Sequence, residues 1–441
     1  MSAPQAFNSI ANNFVGTFPS TYEYFYSNLG NLQLDIVGFL AVLGEGSVLA
    51  NAQVSTLSRL VFIPRLLPAP QALLRPSRPS KLQSELGWVT GVHSGNKRDY
   101  INHIGHLVLD AEKMPEYSVR CVKIERVPGE SNGKSNEKRN VTSRALAPQA
   151  FLAIIGCFQS LVLLGLAVAY RDGMAILAVC LLSLLSSLVG IANKWRLRLH
   201  SRDLQGIVPK GDVVIRYPKG NFLIVECAEE VARELYFAPE TIEYFISHPP
   251  IYRLISLMGT MMMMFGVIAL ANAQIQLQLA FAAAYIFINA AYWIVAALPS
   301  KMNWDISCFK IEKQRFGESR FDKTKFEKAR DREKPMDKKT FADHNPTFTW
   351  ALWRAIIVTK RTEWIGLSQA TPKSKAWEDW LQDALKKAKD ATWKKVDGVT
   401  VWDVPDWDPQ AALTQCLVKY TGEESKHKTF VPDATAGSED V

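Results

Sequence analysis

The chain predicts a multi-pass α-helical membrane protein: four transmembrane helices in two hairpins, a candidate N-terminal fifth, and mixed α/β cytosolic segments. Three observations lead there. First, Ala150–Tyr170, Met174–Asn193, Tyr252–Ala271 and Leu277–Leu298 are apolar and each long enough to cross a bilayer. About 20 residues at 1.5 Å rise cover the roughly 30 Å hydrocarbon layer. Second, the stretches come as two tight pairs, joined by Arg171-Asp172-Gly173 and by the uncharged turn 272–276. Third, basic residues gather on one side of both pairs. Lys134, Lys138, Arg139 and Arg144 precede the first span, and Lys194, Arg196, Arg198 and Arg202 follow the second. Thirteen Lys/Arg against eight acids lie between Lys301 and Lys339, after the fourth. The hairpin tips are therefore expected outside and the C-terminus in the cytosol of a cell membrane or endomembrane.

In chain order, residues 1–33 are expected as an extracellular or lumenal segment, since the first basic residue is Arg59. No positive region precedes an apolar core, so no cleavable signal peptide is visible. Residues 34–52 are apolar apart from Asp35, Glu45 and Asn51. Charge asymmetry favours a span there, whereas a carboxylate near midplane costs about 2–3 kcal/mol and favours a re-entrant or interfacial helix. Residues 53–149 read as a cytosolic segment with a linker. Five prolines between Pro64 and Pro79 predict an extended connector, Arg98–Ala111 a helix and Tyr117–Arg126 a strand. Pro128–Ser143 has linker composition.

The hairpin 150–193 leads into a cytosolic insertion at 194–251. There Asp212–Tyr217 and Phe222–Cys227 flank Pro218-Lys219-Gly220-Asn221 as a β-hairpin, with Tyr117–Arg126 as a candidate third strand. Glu229–Tyr236 and Pro239–Ile246 look helical. The second membrane hairpin, 252–298, precedes a basic and Trp-rich cytosolic region at 299–421, with eight tryptophans from Trp350 to Trp407. Trp350–Arg361 reads equally as an interfacial helix on anionic lipid or as part of a folded tail. Ser374–Ala391 places Trp377, Trp380, Leu381, Ala384, Leu385 and Ala388 on one helical face, and Asp397-Gly398 marks a hairpin in Lys394–Val404. Residues 422–441 are polar enough to stay disordered.

The net charge of +8 is explained by basic loops at the membrane, so no nucleic-acid partner is expected. The six cysteines form no C-x-x-C pair and two lie inside spans, against a disulfide framework or a cysteine zinc site. Phosphate-loop, nucleophile-elbow and H-E-x-x-H patterns are missing, so neither an enzyme nor a cofactor is expected. Asn140-Val141-Thr142 matches a glycosylation acceptor that the orientation keeps in the cytosol.

The candidate functional residues lie mostly within the spans. Gln159 and Asn289 are polar groups in apolar helices, and with Glu45 they are candidates to line a pore and set its selectivity. Gly156/Ser160, Ser186/Gly190 and Ala280/Ala284 are small residues at four-residue spacing, as close helix packing requires. The firm spans carry no central charge, which weakens a proton-coupled carrier. The Met261–Met264 run wraps its helix and reads as flexible packing. His103, His106 and Asp110 share one side of the expected helix, a spacing that can hold a metal but that helices also carry by chance. The expected function is a homo-oligomeric channel or transport-type pore with cytosolic regulatory segments. The alternative is a membrane-anchored scaffold whose cytosolic domains bind protein partners.

Overall fold

The computed structural model describes residues 45–75, 78–109, 111, 114–127, 140–145, 147–200, 207, 209–317, 345–396 and 398–428. Helix α1 (Glu45–Ser55) is followed by two 3-10 turns, Arg59–Phe62 and Pro70–Leu73. Strands β1 (Glu85–Gly91) and β2 (Lys97–Ile101) then form an antiparallel pair. Helix α2 spans His103–Leu109 and strand β3 spans Val119–Arg126. The helix expected over Arg98–Ala111 therefore starts later. Its first residues pair with β1, and Glu240 accepts from the backbone N–H groups of His103 and Ile104 at 3.0 and 2.8 Å, which sets the start from far along the chain.

A short strand β4 (Thr142–Ser143) leads into α3 (Pro148–Ala169) and α4 (Gly173–Asn193). Strands β5 (Trp195–Arg198), β6 (Val213–Arg216) and β7 (Phe222–Cys227) follow, the last two being the expected hairpin. Helix α5 (Glu229–Ala232) runs into a π-helical turn, Arg233–Phe237. Pro239–Ile246, expected helical, is instead strand β8 (Thr241–Tyr244), because pairing with β5 claims its backbone. Helices α6 (Pro249–Ala271) and α7 (Ile275–Ala296) precede β9 (Trp304–Asp305) and β10 (Phe309–Phe316). The chain closes with α8 (Phe348–Thr359), α9 (Glu363–Leu367), α10 (Lys375–Lys389), the hairpin β11 (Trp393–Val396) and β12 (Val399–Trp402), and α11 (Pro409–Lys428). Residues 422–428, expected in a disordered tail, continue α11, and 429–441 lie outside the described residues.

These elements form two units. The first draws on Met1–Lys81, Val141–Arg198 and Thr241–Ile306. Its helices α3, α4, α6 and α7 are long and apolar enough to cross a membrane, and at most half of each apolar window is buried. The outward faces carry Phe151, Phe158, Leu161, Leu254, Leu257 and Phe265, an apolar surface suited to lipid rather than water. Two small ladders tie the helix ends: β4 with β9 joins the start of α3 to the end of α7, and β5 with β8 joins the end of α4 to the start of α6. All four ends therefore meet at one collar. The tips meet at the other end, where Asp172 caps α4 by accepting from Met174 and Ala175 N–H and also accepts from Gln274 N–H at 2.6 Å.

The second unit draws on Leu82–Asn140, Leu199–Glu240 and Ser307–Val441. It holds an eight-stranded mixed sheet in the order β11-β12-β10-β3-β7-β6-β1-β2. The expected pairing of β3 with the hairpin is present, as a parallel ladder to β7. Strand β7 is buried along Phe222–Val225, as a strand covered on both faces should be. One face packs on α8, whose residues Thr349–Val358 are all buried, together with Trp364 and Trp380. Of the two readings of Trp350–Arg361, the folded-tail reading holds. A helix buried all round has no face left for lipid.

Candidate functional site

The polar chemistry of the first unit centres on the segment between α1 and residue 74. Expected as an extended connector outside the membrane part, it packs among the helices. Leu66, Leu67, Ala69, Ala72 and Leu73 are buried in the same core as Leu152 of α3, Leu182 and Val189 of α4 and Ile288 of α7. The prolines that forbid a regular helix leave the backbone irregular, and such backbone at membrane depth must be enclosed by protein. Leu66 N–H donates to Gly156 O at 3.0 Å, and Arg65 N–H donates to Ser186 Oγ at 3.0 Å. Gly156 lies eight residues into α3, about 12 Å along its axis. The segment then rises to Leu73, whose carbonyl accepts from Asn193 Nδ2 at the end of α4. The segment thus enters the bundle and returns to the same end, as a re-entrant loop would if the helices cross a membrane.

This loop explains the small residues. A Cβ on Gly156 would sit 2.7 Å from Leu66 O, and one on Gly190 would sit 2.4 Å from Val61 O. These glycines admit the re-entrant backbone rather than another helix. Ser186 Oγ donates to Ser183 O, and Ser160 Oγ donates to Gly156 O of its own helix. Ala280 and Ala284 are half-buried on α7 against the same core.

Of the candidate pore residues, Gln159 and Asn289 lie on described helices of the bundle, α3 and α7. Gln159 Nε2 donates to Ala284 O at 3.3 Å, crossing from α3 to α7. Asn289 is 9% exposed, inside the bundle. Glu45 opens α1, and its side chain lies outside the described residues, as do residues 34–44 of the expected fifth span. The described helix has 11 residues, about 16 Å of rise, half of what a span needs. Within it Asn51 Nδ2 donates to Tyr292 O, and Gln149 Nε2 donates to Asn51 Oδ1 at 2.6 Å. Of the Met261–Met264 run, Met262 and Met263 pack on the core while Met261 and Met264 point outward, as flexible packing requires.

Two arginines that composition did not single out hold this unit together. Arg65 is 5% exposed, donates through Nη1 to Leu60 O and Val61 O, and has no carboxylate partner among the described residues. Arg78 lies between the rings of Tyr244 and Tyr252, 4.1 and 4.0 Å from their centroids. It donates to Ala192 O at the end of α4 and to Ile246 O beyond β8. The apolar residues crowded between the prolines, Leu66, Leu67, Leu73 and Leu74, were the available signal: a solvated connector has no use for them.

In the second unit, His103 and His106 lie on α2, and Asp110 lies outside the described residues. His106 is buried, with Nδ1 at 3.2 Å from the Tyr217 hydroxyl. Among the described residues no group of three His, Cys, Asp or Glu side chains is placed to hold a metal. Tyr217 also lines a groove of about 500 Å³ with Trp88, Tyr117, Arg216, Lys219 and Phe348. Next to α2, burial pushes the Glu240 carboxyl up to about 7, against the two backbone N–H groups that favour its anion. Comparison with protein-family models, with curated proteins and with solved structures finds no match to this chain.

Proposed function

We propose that the four-helix unit is a membrane anchor, and that the α/β unit is the working part, held in the cytosol at the bilayer surface to bind partners. One observation carries this reading. The interior of the bundle is filled by its own chain, with Leu66, Leu67, Ala72 and Leu73 packed between the helices and Gln159 engaged across α3 and α7. Such filling speaks against a hydrated path inside one copy. Beyond the exposed Arg253 in its first turns, the outward face of α6 is apolar, at Leu254, Leu257, Met258, Met261, Met264 and Phe265, which suits lipid better than a pore formed between copies. The cytosolic placement rests on Lys194, Arg196, Arg198 and Lys301 at the collar.

The test is reconstitution into liposomes at defined protein density, after the oligomeric state has been measured in mild detergent. The anchor reading expects ion flux no greater than in empty liposomes. The homo-oligomeric pore expected from the sequence requires flux that Gln159→Leu, Asn289→Leu or Glu45→Gln changes. Such flux would overturn the anchor.

A further inference from the structure

The groove in the α/β unit combines three kinds of chemistry. Its walls are aromatic: Trp88, Tyr117, Tyr217 and Phe348. Its cations are Arg216 on β6 and Lys219 on the exposed turn that follows. Its one carboxylate is Glu116. Arg216 is held in place, with its guanidinium 4.1 Å from the Trp88 ring centroid and Nη1 donating to Gln369 O at 2.9 Å. Its Nε is buried and has no hydrogen-bond acceptor. A guanidinium fixed by the Trp88 ring and Gln369 O is set to receive an anion at the groove, because binding there needs little reordering of the side chain.

The turn is built to bring Lys219 alongside. Gly220 has φ +74°, its N–H donates to Tyr217 O, and a Cβ there would sit 2.9 Å from the Tyr117 ring. Tyr117 itself takes a positive φ of 53°, a conformation a tyrosine rarely adopts, and so lines the groove at a local backbone cost. Two cations against one carboxylate make the groove positive. About 500 Å³ is too large for an inorganic anion alone and falls within the range of small-molecule sites. Half-exposed rings offer π-faces for stacking a planar group.

We propose that this groove binds a phosphorylated aromatic small molecule of mononucleotide size, with the phosphate on Arg216 and Lys219 and the planar group against the aromatic walls. Glu116 is positioned to accept from a hydroxyl or amino group of the same ligand. The inference rests on the α/β unit being the working half of the protein. Its own test is separate from the flux measurement, so either can fail alone.

Full-length protein in detergent or nanodiscs is titrated into fluorescently labelled AMP and followed by anisotropy. Unlabelled AMP, adenosine, inorganic phosphate and inositol phosphate then compete. The expected order places AMP first, with adenosine and inorganic phosphate each weaker by about tenfold or more, the worth of one charge-assisted contact. Inositol phosphate, which lacks an aromatic plane, is also weaker. Arg216→Lys, which keeps the charge but loses the fork and the stack, weakens binding by about tenfold. Lys219→Ala weakens it less, and its exposed position keeps the fold unchanged as checked by thermal melting. The proposal is overturned if labelled AMP does not bind, if adenosine competes as well as AMP, if inositol phosphate competes as well as AMP, or if both variants bind like the wild type.

Discussion

Replacing Gly190 by alanine tests the re-entrant loop with one methyl group. The new Cβ would lie 2.4 Å from Val61 O, 3.0 Å from Val61 Cγ2 and 3.1 Å from the Val61 carbonyl carbon, against ordinary contacts of 3.4 Å and more. The first obstacle is backbone, which has no rotamer to escape into, so the loop and α4 must separate by about 1 Å. Overpacking of this kind costs about 1–3 kcal/mol. Part is hidden by the better helix propensity of alanine, worth about 1 kcal/mol. Gly165→Ala supplies the reference, because its Cβ would meet nothing within 4 Å and only the propensity gain remains. The difference between the two variants isolates the clash at about 1–3 kcal/mol. Thermal unfolding in mild detergent can be read with a thiol-reactive dye, because Cys157 on α3 and Cys180 on α4 are free and half-buried. Gly190→Ala should label at lower temperature than Gly165→Ala. If the two melt together, no carbonyl lies against Gly190 and the re-entrant path is wrong.

Three further expectations follow from the same geometry. Asp172→Ala removes both the α4 cap and the link to Gln274, and should lower stability by about 1–2 kcal/mol in detergent unfolding, whereas Asp172→Asn keeps part of the cap and loses less. Arg78→Lys keeps the charge but cannot stack on two tyrosines while donating to both Ala192 O and Ile246 O, so the collar should melt earlier by an amount equal to about 1–3 kcal/mol. For Glu240 the folded carboxyl holds its proton up to about 7, above its ordinary 4.5, so the folded state binds the proton more tightly than the unfolded chain. Its contribution is complete below about 4.5 and falls as pH rises through about 7, by at most about 3 kcal/mol. Glu240→Gln should flatten that part of the pH–stability profile, and an unchanged slope would show that another group causes it.

The four apolar helices were readable because length and composition alone decide whether a segment can span lipid. The β6–β7 hairpin was readable from the turn at Pro218–Asn221, and α10 from its single apolar face, which Ser374 caps by accepting from Trp377 N–H. What escaped depends on distant partners. Lys97–Ile101 is charged and looks helical until β1 is beside it, and Thr241–Tyr244 becomes a strand only because β5 is there. Strand β10 was hidden by Lys310, Glu312, Lys313 and Arg315, although Phe309, Gln314 and Phe316 are buried. Arg65 escaped for a related reason. A lone arginine among prolines reads as solvated, and only the fold shows that helices α3 and α4 enclose it. The small residues at 156 and 190 were read as helix packing, whereas in the fold both glycines face the irregular backbone at Leu66 and Val61, which spacing cannot foretell.

The collar also bears on the order in which the chain can be completed. Strand β5 pairs Arg198 with Thr241, so β6, β7 and α5 lie between two strands whose ends are neighbours in one ladder. Strand β4 waits far longer: Thr142 and Ser143 find Asp305 and Trp304 only after both membrane hairpins have been synthesised. Until then the start of the first helix and the end of the last lack their ladder, although Gln159 already reaches Ala284 O. The collar in this sense carries a clasp, and a ribosome that stops short of Trp304 leaves that clasp unfastened.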